Sequence, residues 1–305
     1  MLQPVPIQEL KRRLADLGRG APRASPPVFA PMLFTAAAEI EALSAQEFVS
    51  NPTIMVRAGT ELSRMLGLGT VFTGVPCGAV AQALGGILAE DAWPTIVAAK
   101  PARDPLSISE PSLCWGHSAL LSSFLAATRN MAIDERNTML SVLGVEGPAA
   151  LTEQLFGDEN MTEARADFIG SVLAALVRDF AEAGVSAIVM VDQSPDDDAR
   201  EYAKSAYRTL ANVARFHRVP VVPVFTDNGN PTGMLPTVVP AFQTGVTVRP
   251  TVKLYARSWP AIIGEWATLT VDEKARFVTT TGEVPTDTRI EQLVQLANSS
   301  SAIFS

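Results

Sequence analysis

The sequence predicts an α/β protein that folds as a single-domain (β/α)8 TIM barrel. Short apolar segments rich in β-branched residues alternate with longer segments of helical periodicity along most of the 305-residue chain. This alternation is typical of βα units arranged around a parallel sheet. Because α/β barrels use about 250 residues as one domain, we expect one domain over residues 1–305. The predicted strands are 28–34, 70–73, 139–145, 186–191, 220–225, 245–248, 261–264 and 276–280, eight in all.

A capping box marks the first helix that can be placed closely. In Ser44-Ala45-Gln46-Glu47 the serine oxygen accepts a free amide of the first turn, and the glutamate reaches back to the serine amide. We therefore expect a helix to begin near Ala45. The segments 270–273 and 288–291 have the same pattern and predict helix starts near Val271 and Arg289.

Two further helices follow from apolar periodicity. Phe168, Val172, Leu176 and Phe180 recur every four residues and form one apolar face, which Gly184 ends. The segment 199–216 repeats this plan before Pro220, and the apolar run that follows predicts the next buried strand.

Two segments do not fit the alternation. The first is residues 1–26, which we interpret as an entry arm. The second is residues 91–111, interpreted as an insertion or a lid over one end of the barrel. Its prolines are Pro94, Pro101, Pro105 and Pro111.

Composition excludes several classes of partner. The chain is 47% hydrophobic and carries a formal charge of −8, with no block of basic residues that could neutralise a row of phosphates. No apolar run approaches the ~18 residues of a membrane span, and the first 20 residues are polar. We therefore expect a cytoplasmic protein that binds neither nucleic acid nor membrane.

Few metal-ligating side chains are present. The two cysteines are Cys77 and Cys114, and the two histidines are His117 and His217. They suffice neither for a disulfide framework nor for a zinc finger. No metal and no cofactor are expected.

Four segments in order resemble the uroporphyrinogen decarboxylase superfamily, which includes zinc-dependent methyltransferases. Together they extend over about the whole chain. They are 43–52, which includes Asn51-Pro52, then 80–85, then 147–157, which begins Gly147-Pro148, and 281–285. The resemblance implies a (β/α)8 barrel and a homodimer.

The residues that carry the chemistry of that superfamily are replaced here. The decarboxylase's arginine-rich segment matches residues 29–33, which contain no arginine, and its signature aspartate matches Gly74. Its tyrosine matches Gln154 and its histidine matches about Thr281. For the methyltransferases, the ligands of a thiolate-activating zinc match Val224, Thr226 and Glu283. The resemblance therefore implies a member of the superfamily that kept the barrel but lost the active sites of both the decarboxylase and the zinc-dependent methyltransferases.

Polar residues that follow the predicted strands are the candidate site, because barrel enzymes carry their active residues at the C-terminal strand ends. Several carboxylates there would raise one another's pKa, as acid–base catalysis requires. We predict Asp192, Glu265 and Asp227 as catalytic residues. The predicted substrate-binding residues are Arg249, Asn228, Gln193, Glu283 and Cys77.

Structural interpretations remain open for several of these residues. Asp192 could cap the turn-like loop that follows it, and Asp227 lies in a turn-like Asp-Asn-Gly-Asn segment. A lone cysteine such as Cys77 is usually a small buried apolar residue.

The two histidines have structural interpretations as well. Cys114 and His117 are three residues apart, close enough on a helix to share a metal or a proton. Two ligands, however, are too few for a metal site. We interpret His217 as the C-terminal residue of a helix.

The leading functional hypothesis is an enzyme of lyase or decarboxylase type. It would act on a small carboxylic acid by metal-free acid–base chemistry. The first alternative is methyl transfer in the corrinoid and zinc branch of the superfamily with an atypical site. The second is a non-catalytic relative that binds a ligand.

Overall fold

A parallel β-sheet layer organises the chain. The computed structural model describes residues 6–19, 28–89, 97–133, 138–157, 162–193, 200–226, 253–257, 275–280, 290–291 and 293–294. The strands are β1 (Val28–Ala30), β2 (Thr70–Gly74), β3 (Ile87–Leu88), β4 (Val97–Ala99), β5 (Leu140–Glu146), β6 (Ala187–Gln193), β7 (Val221–Thr226), β8 (Lys253–Arg257) and β9 (Ala275–Thr280).

Helices follow most of these strands. They are α1 (Ile7–Arg19), α2 (Phe34–Ile40), α3 (Ala45–Val49), α4 (Pro52–Met65), α5 (Ala79–Ala83), α6 (Ala119–Ile133), α7 (Pro148–Phe156), α8 (Glu163–Glu182) and α9 (Arg200–His217). Two 3-10 helices span Pro105–Ser107 and Pro111–His117.

The parallel strands form two sheets. One has the order β2-β5-β6-β7 and the other β1-β9-β8, so the first strand of the chain pairs with the last described one. Strand β1 also lies against β2. The prediction of an α/β fold with parallel strands is confirmed, although no pairing closes the ring between β7 and β8 within the described ranges.

Most described strands lie where the apolar segments predict them. One parallel strand, β8, was not predicted: it begins with Lys253 and ends with Arg257, so its sequence lacks the continuous apolar run of a buried parallel strand. The short antiparallel pair β3–β4 was not predicted either, because its strands have only two and three residues. The predicted strands 245–248 and 261–264 lie outside the described residues.

The predicted helix features are confirmed where they can be seen. Ser44 and Glu47 form both hydrogen bonds of the capping box at the start of α3. Helix α8 buries Phe168, Val172 and the other residues of its apolar face, and Gly184 follows with φ of +94°. Such a left-handed residue ends a helix at little cost only when it is glycine. The starts predicted near Val271 and Arg289 lie outside the described residues.

Helix α1 seals the N-terminal end of the strands. It contacts β1, β5 and β9, and its Leu10 and Leu14 are buried. The Leu10 side chain fills the space that a Cβ at Gly69 would need, directly before β2 begins. The segment predicted as an entry arm thus contains a packed amphipathic helix.

The irregular segment after α5 is partly visible. Strand β4 and the 3-10 turn Pro105–Ser107 lie within the predicted insertion, and β4 pairs with β3. No helix in the described part of the chain is long and apolar enough to cross a membrane.

The seal by α1 makes a testable prediction. Leu10→Ala should lower the free energy of unfolding by about 2–4 kcal/mol, because a buried leucine leaves a cavity between α1 and the strand starts. Urea denaturation measures this, with Lys11→Ala at an exposed position of the same helix as control. Equal unfolding free energies for the two variants would contradict the packing role of α1.

Candidate functional site

A buried carboxyl group stands at the C-terminal end of β5. Glu146, the last residue of this strand, is 5% exposed. Its Oε1 accepts the backbone N–H of Gly78 at 2.5 Å. The Cys77 amide and the Gln154 side chain also interact with this carboxyl group. Residues from β5, α7 and the loop before α5 therefore converge on one acidic group.

Burial dominates the acidity of Glu146. Removal from water raises its pKa above the ordinary value of 4.5, because a charged carboxylate loses its hydration. The hydrogen bonds from Gly78, Gln154 and Cys77 act in the opposite direction but are smaller effects. No cationic side chain is among the described groups that shift this pKa. Glu146 consequently holds its proton to higher pH than a solvated glutamate and can serve as a proton donor.

Glycines let the loop after β2 reach Glu146. Gly144 lies two residues before Glu146 and therefore on the same face of the strand. A Cβ there would lie 3.0 Å from Pro76 Cδ and 3.2 Å from the Gly74 carbonyl oxygen. Gly78 has φ of +72°, a left-handed conformation that other residues rarely adopt. The close approach of backbone to backbone thus brings the Gly78 N–H to the carboxyl group.

Gln154 adds a polar group from α7. This helix begins at Pro148, just after the strand end, and Gln154 lies in its second turn. The amide interacts with Glu146, whereas its Oε1 is buried and has no hydrogen-bond partner among the described residues. A buried acceptor without a partner costs about 1–3 kcal/mol, so it is a position where a donor would be favoured. The resemblance had matched this residue to a family tyrosine.

The two faces of the sheet separate Glu146 from Asp192. In the register of β5 and β6, Glu146 is paired with Val191. Since neighbouring residues of a strand alternate between faces, position 193 lies on the face of Glu146 and position 192 on the other. Gln193 is in turn paired with Thr226 of β7. Residue positions 146, 193 and 226 therefore share one face at the C-terminal edge.

Asp192 is anchored among the helices. It is 1% exposed, its Oδ1 accepts the Ala150 N–H at 2.9 Å, and its Oδ2 accepts the Tyr207 hydroxyl at 2.9 Å. The N-cap residue of α7 is Gly147, which has no side chain to cap the helix, so Asp192 supplies the cap from the neighbouring strand. Asp192 thus caps α7, which precedes it in the chain, whereas the loop that it was expected to cap lies outside the described residues. A catalytic role for Asp192 stays a prediction.

Tyr207 completes this anchor from α9. Burial raises its pKa well above the usual range, and the negative charge and hydrogen bond of Asp192 add to that effect. Tyr207 therefore remains a hydroxyl donor. It links α9 to the β6 strand end, which in turn holds α7.

The remaining predicted residues are placed as follows. Cys77 is 2% exposed, directly beside Gly78, and so lies near Glu146. Gln193 ends β6. Five predicted residues lie outside the described ranges: Asp227, Asn228, Arg249, Glu265 and Glu283. Their roles stay predictions.

Glu146 and Gln154 were not predicted as site residues from the sequence. Glu146 follows the predicted strand 139–145 immediately, so the strand-end rule applied to Asp192 could have found it. The buried Oε1 of Gln154 has no signal in the sequence, because it depends on how α7 packs against the strand end.

The described residues do not fit the zinc site of the methyltransferases. Val224, which the resemblance matched to a zinc ligand, is a buried residue of β7 with no atom that binds zinc. No group of three His, Cys, Asp or Glu side chains is arranged for a metal in the described part of the chain. Cys114 and His117 lie in a 3-10 helix, half-buried and exposed respectively, and His217 ends α9 as predicted.

Comparison with known proteins shows a shared fold. No family model and no curated protein sequence matches the chain. The structure is similar to that of a methyltransferase from Methanosarcina mazei, with a TM-score of 0.72 and 16% identity. The likeness covers 97% of this chain and 99% of that one.

This likeness corrects the leading functional hypothesis. The prediction of a lyase or decarboxylase is wrong, because the similar structure is named a methyltransferase and agrees with the first alternative instead. At 16% identity the likeness itself shows the fold alone.

The raised pKa of Glu146 predicts how stability depends on pH. A carboxyl group with a raised pKa in the folded chain stabilises folding below its ordinary value of 4.5, and this contribution is lost as pH rises through the raised value. Glu146→Gln keeps the shape but cannot ionise. The melting temperature of the variant relative to wild type should therefore rise with pH over that window.

Thermal melts at pH values from about 4 to about 8, which start near the ordinary carboxyl pKa and extend above it, measure the difference. Asp167→Asn, which removes one exposed carboxylate from α8, is the matched control. A melting-temperature difference for Glu146→Gln that stays constant with pH, like that of the control, would show that burial does not control this group.

The anchor of α7 predicts a coupling between Asp192 and Tyr207. Tyr207→Phe should lower the free energy of unfolding by about 1–3 kcal/mol, because it removes the hydroxyl donor to a buried carboxylate. In a double-mutant cycle with Asp192→Asn, urea denaturation should give a coupling above about 0.5 kcal/mol. Additive effects would contradict the anchor.

Proposed function

We propose that this chain is a methyltransferase, a diverged member of the uroporphyrinogen decarboxylase superfamily with a closed (β/α)8 barrel. It removes a methyl group from a heteroatom of a small molecule, and Glu146 donates a proton to that heteroatom. One observation carries the proposal: a buried carboxyl group with a raised pKa ends a central strand of a fold shared with a methyltransferase.

The strand order supports the barrel. Along the chain, β1, β2, β5, β6 and β7 follow one another as neighbours, and β8 and β9 return to β1. One strand between β7 and β8 would complete eight and close the ring, and the apolar segment 245–248 is the sequence predicted to form it. Ligands of such barrels bind at the C-terminal edge, where Glu146 lies.

The chemistry of methyl removal suits a neutral acid. An attacking thiolate forms a bond to the methyl carbon, and the bond from that carbon to the heteroatom breaks. The heteroatom leaves with the bonding electron pair and takes the Glu146 proton, and Glu146 regains a proton from solvent afterwards. Protonation of the leaving group by a positioned acid accelerates such steps by about 10²–10⁴-fold.

A thiol is the acceptor class that we propose, since the superfamily resemblance implies thiolate methylation. The step involves no zinc, because Val224 offers no ligand atom. Gln154 binds a donor group of the substrate through its Oε1. We propose further substrate-binding residues at the same edge, namely Gln193, Asn228 and Arg249. The additional acidic groups that we propose there are Asp227, Glu265 and Glu283.

Isotope-labelled donors test this function. The purified protein is incubated with a small thiol and with a ¹³C-methyl ether, thioether or tertiary amine in turn, and mass spectrometry detects the labelled methyl thioether. We expect transfer from one heteroatom class, with a kcat that falls as pH rises through the raised pKa of Glu146. Glu146→Gln should lower kcat by about 10²–10⁴-fold.

Asp167→Asn is the control and should transfer at the wild-type rate, because this residue lies on the exposed face of α8. No labelled thioether from any donor would overturn the methyltransferase assignment. Transfer that persists in Glu146→Gln at full rate would overturn the role of this residue alone.

A further inference from the structure

A pair of short strands packs against the Gly78 loop at the edge of the candidate site. Strands β3 and β4 pair antiparallel, with Ile87 opposite Ala99 and Leu88 opposite Val97. We call residues 87–88 and 97–99 the cover. It meets the loop before α5 at Gly78, where a Cβ would lie 2.7 Å from Leu88 Cδ2 and 3.0 Å from Val97 Cγ2. The cover therefore rests directly on the Gly78 backbone.

Gly78 connects the cover to the buried carboxyl group. Its N–H donates to Glu146, while the position of its absent side chain is occupied by Leu88 and Val97. Only one backbone residue thus separates the cover from the proposed proton donor. Cys77, the preceding residue, is 2% exposed.

The residues of the cover are less buried than those of the core. Ile87 is 61% exposed, Leu88 and Val97 are half-buried, and Ala98 and Ala99 are exposed. A two-stranded antiparallel pair is only marginally stable by itself. Beyond the cover, Lys100 Nζ donates to the Phe156 carbonyl oxygen at 3.4 Å, a long bond. Segments with few buried contacts open at lower free energy than the core.

We propose that the cover opens as a unit, leaving Gly78 and exposing the site of Glu146 and Gln154 to ligand. The identity of that ligand as a methyl donor rests on the proposed function, whereas the opening itself does not. Burial of Glu146 and of the Gln154 Oε1 is then the closed state, and Leu88 and Val97 are the contacts that hold it closed.

Thiol labelling tests the opening without any activity assay. Cys77 and Cys114 form no disulfide, so both can react with N-ethylmaleimide when exposed. Peptide mass spectrometry follows each cysteine separately in the full chain. Leu88→Ser and Val97→Ser should each raise the Cys77 labelling rate about tenfold, the factor that corresponds to about 1.4 kcal/mol. That value is within what part of a buried leucine side chain contributes.

Two controls make the result specific. Ile87→Ser changes an exposed residue of the same strand and should leave the Cys77 rate unchanged. Cys114 lies in the 3-10 helix Pro111–His117, outside the cover, and should keep its rate in every variant.

The outcomes separate clearly. A selective rise at Cys77 with an unchanged melting temperature supports the opening. An unchanged Cys77 rate in Leu88→Ser and Val97→Ser overturns it. A joint rise at Cys77 and Cys114 with a lower melting temperature also overturns it, because the cover is then part of the cooperative core. None of these results depends on whether methyl transfer is observed.

Discussion

The burial of Glu146, with no cationic partner among the described residues, is the constraint on which the candidate site depends. An ionised carboxylate loses its hydration in such a place, and hydrogen bonds from three backbone amides and one side chain do not compensate for that loss. The protonated form is therefore favoured. The same contacts bind three segments together, since the loop before α5 and helix α7 both meet the end of β5 at this one group. The packing around Glu146 therefore both stabilises the C-terminal edge of the sheet and sets the pKa of this carboxyl group.

The two buried carboxyl groups of this edge perform different tasks because they lie on opposite faces of the sheet. Asp192 on one face holds the start of α7 and the Tyr207 hydroxyl, and every oxygen of its carboxylate has a hydrogen-bond donor. Glu146 on the other face interacts instead with the Gly78 and Cys77 amides and with the Gln154 side chain, and burial raises its pKa. The neighbouring ends of β5 and β6 thus supply an acidic group and an anchor. Because side chains alternate between the two faces of a strand, Glu146 and Asp192 lie on opposite faces. A strand-end position alone does not distinguish them.

Local signals in the sequence predicted local structure well. The capping box of α3 and the apolar face of α8 involve residues within a few positions of one another, and both are present in the structure. Strand β8 was not predicted, because the charged residues at its two ends break the apolar run. Its place in the sheet depends on pairing with β9, a distant segment of the chain. The site was harder still. Glu146 could have been found at a strand end, but its acidity comes from Gly78 and Gln154, whose proximity only packing creates.

Acid chemistry at Glu146 and closure of the cover require each other. The pKa of this group is raised because water is excluded, so water that entered with an open cover would lower the pKa again and favour the charged form. A ligand that replaces water before the cover returns to Gly78 keeps the group protonated. The proton is then available only when the substrate is enclosed, and bulk water cannot compete as acceptor. The slight attachment of β3 and β4, beside a densely packed sheet, is what such a cycle of opening and closing demands.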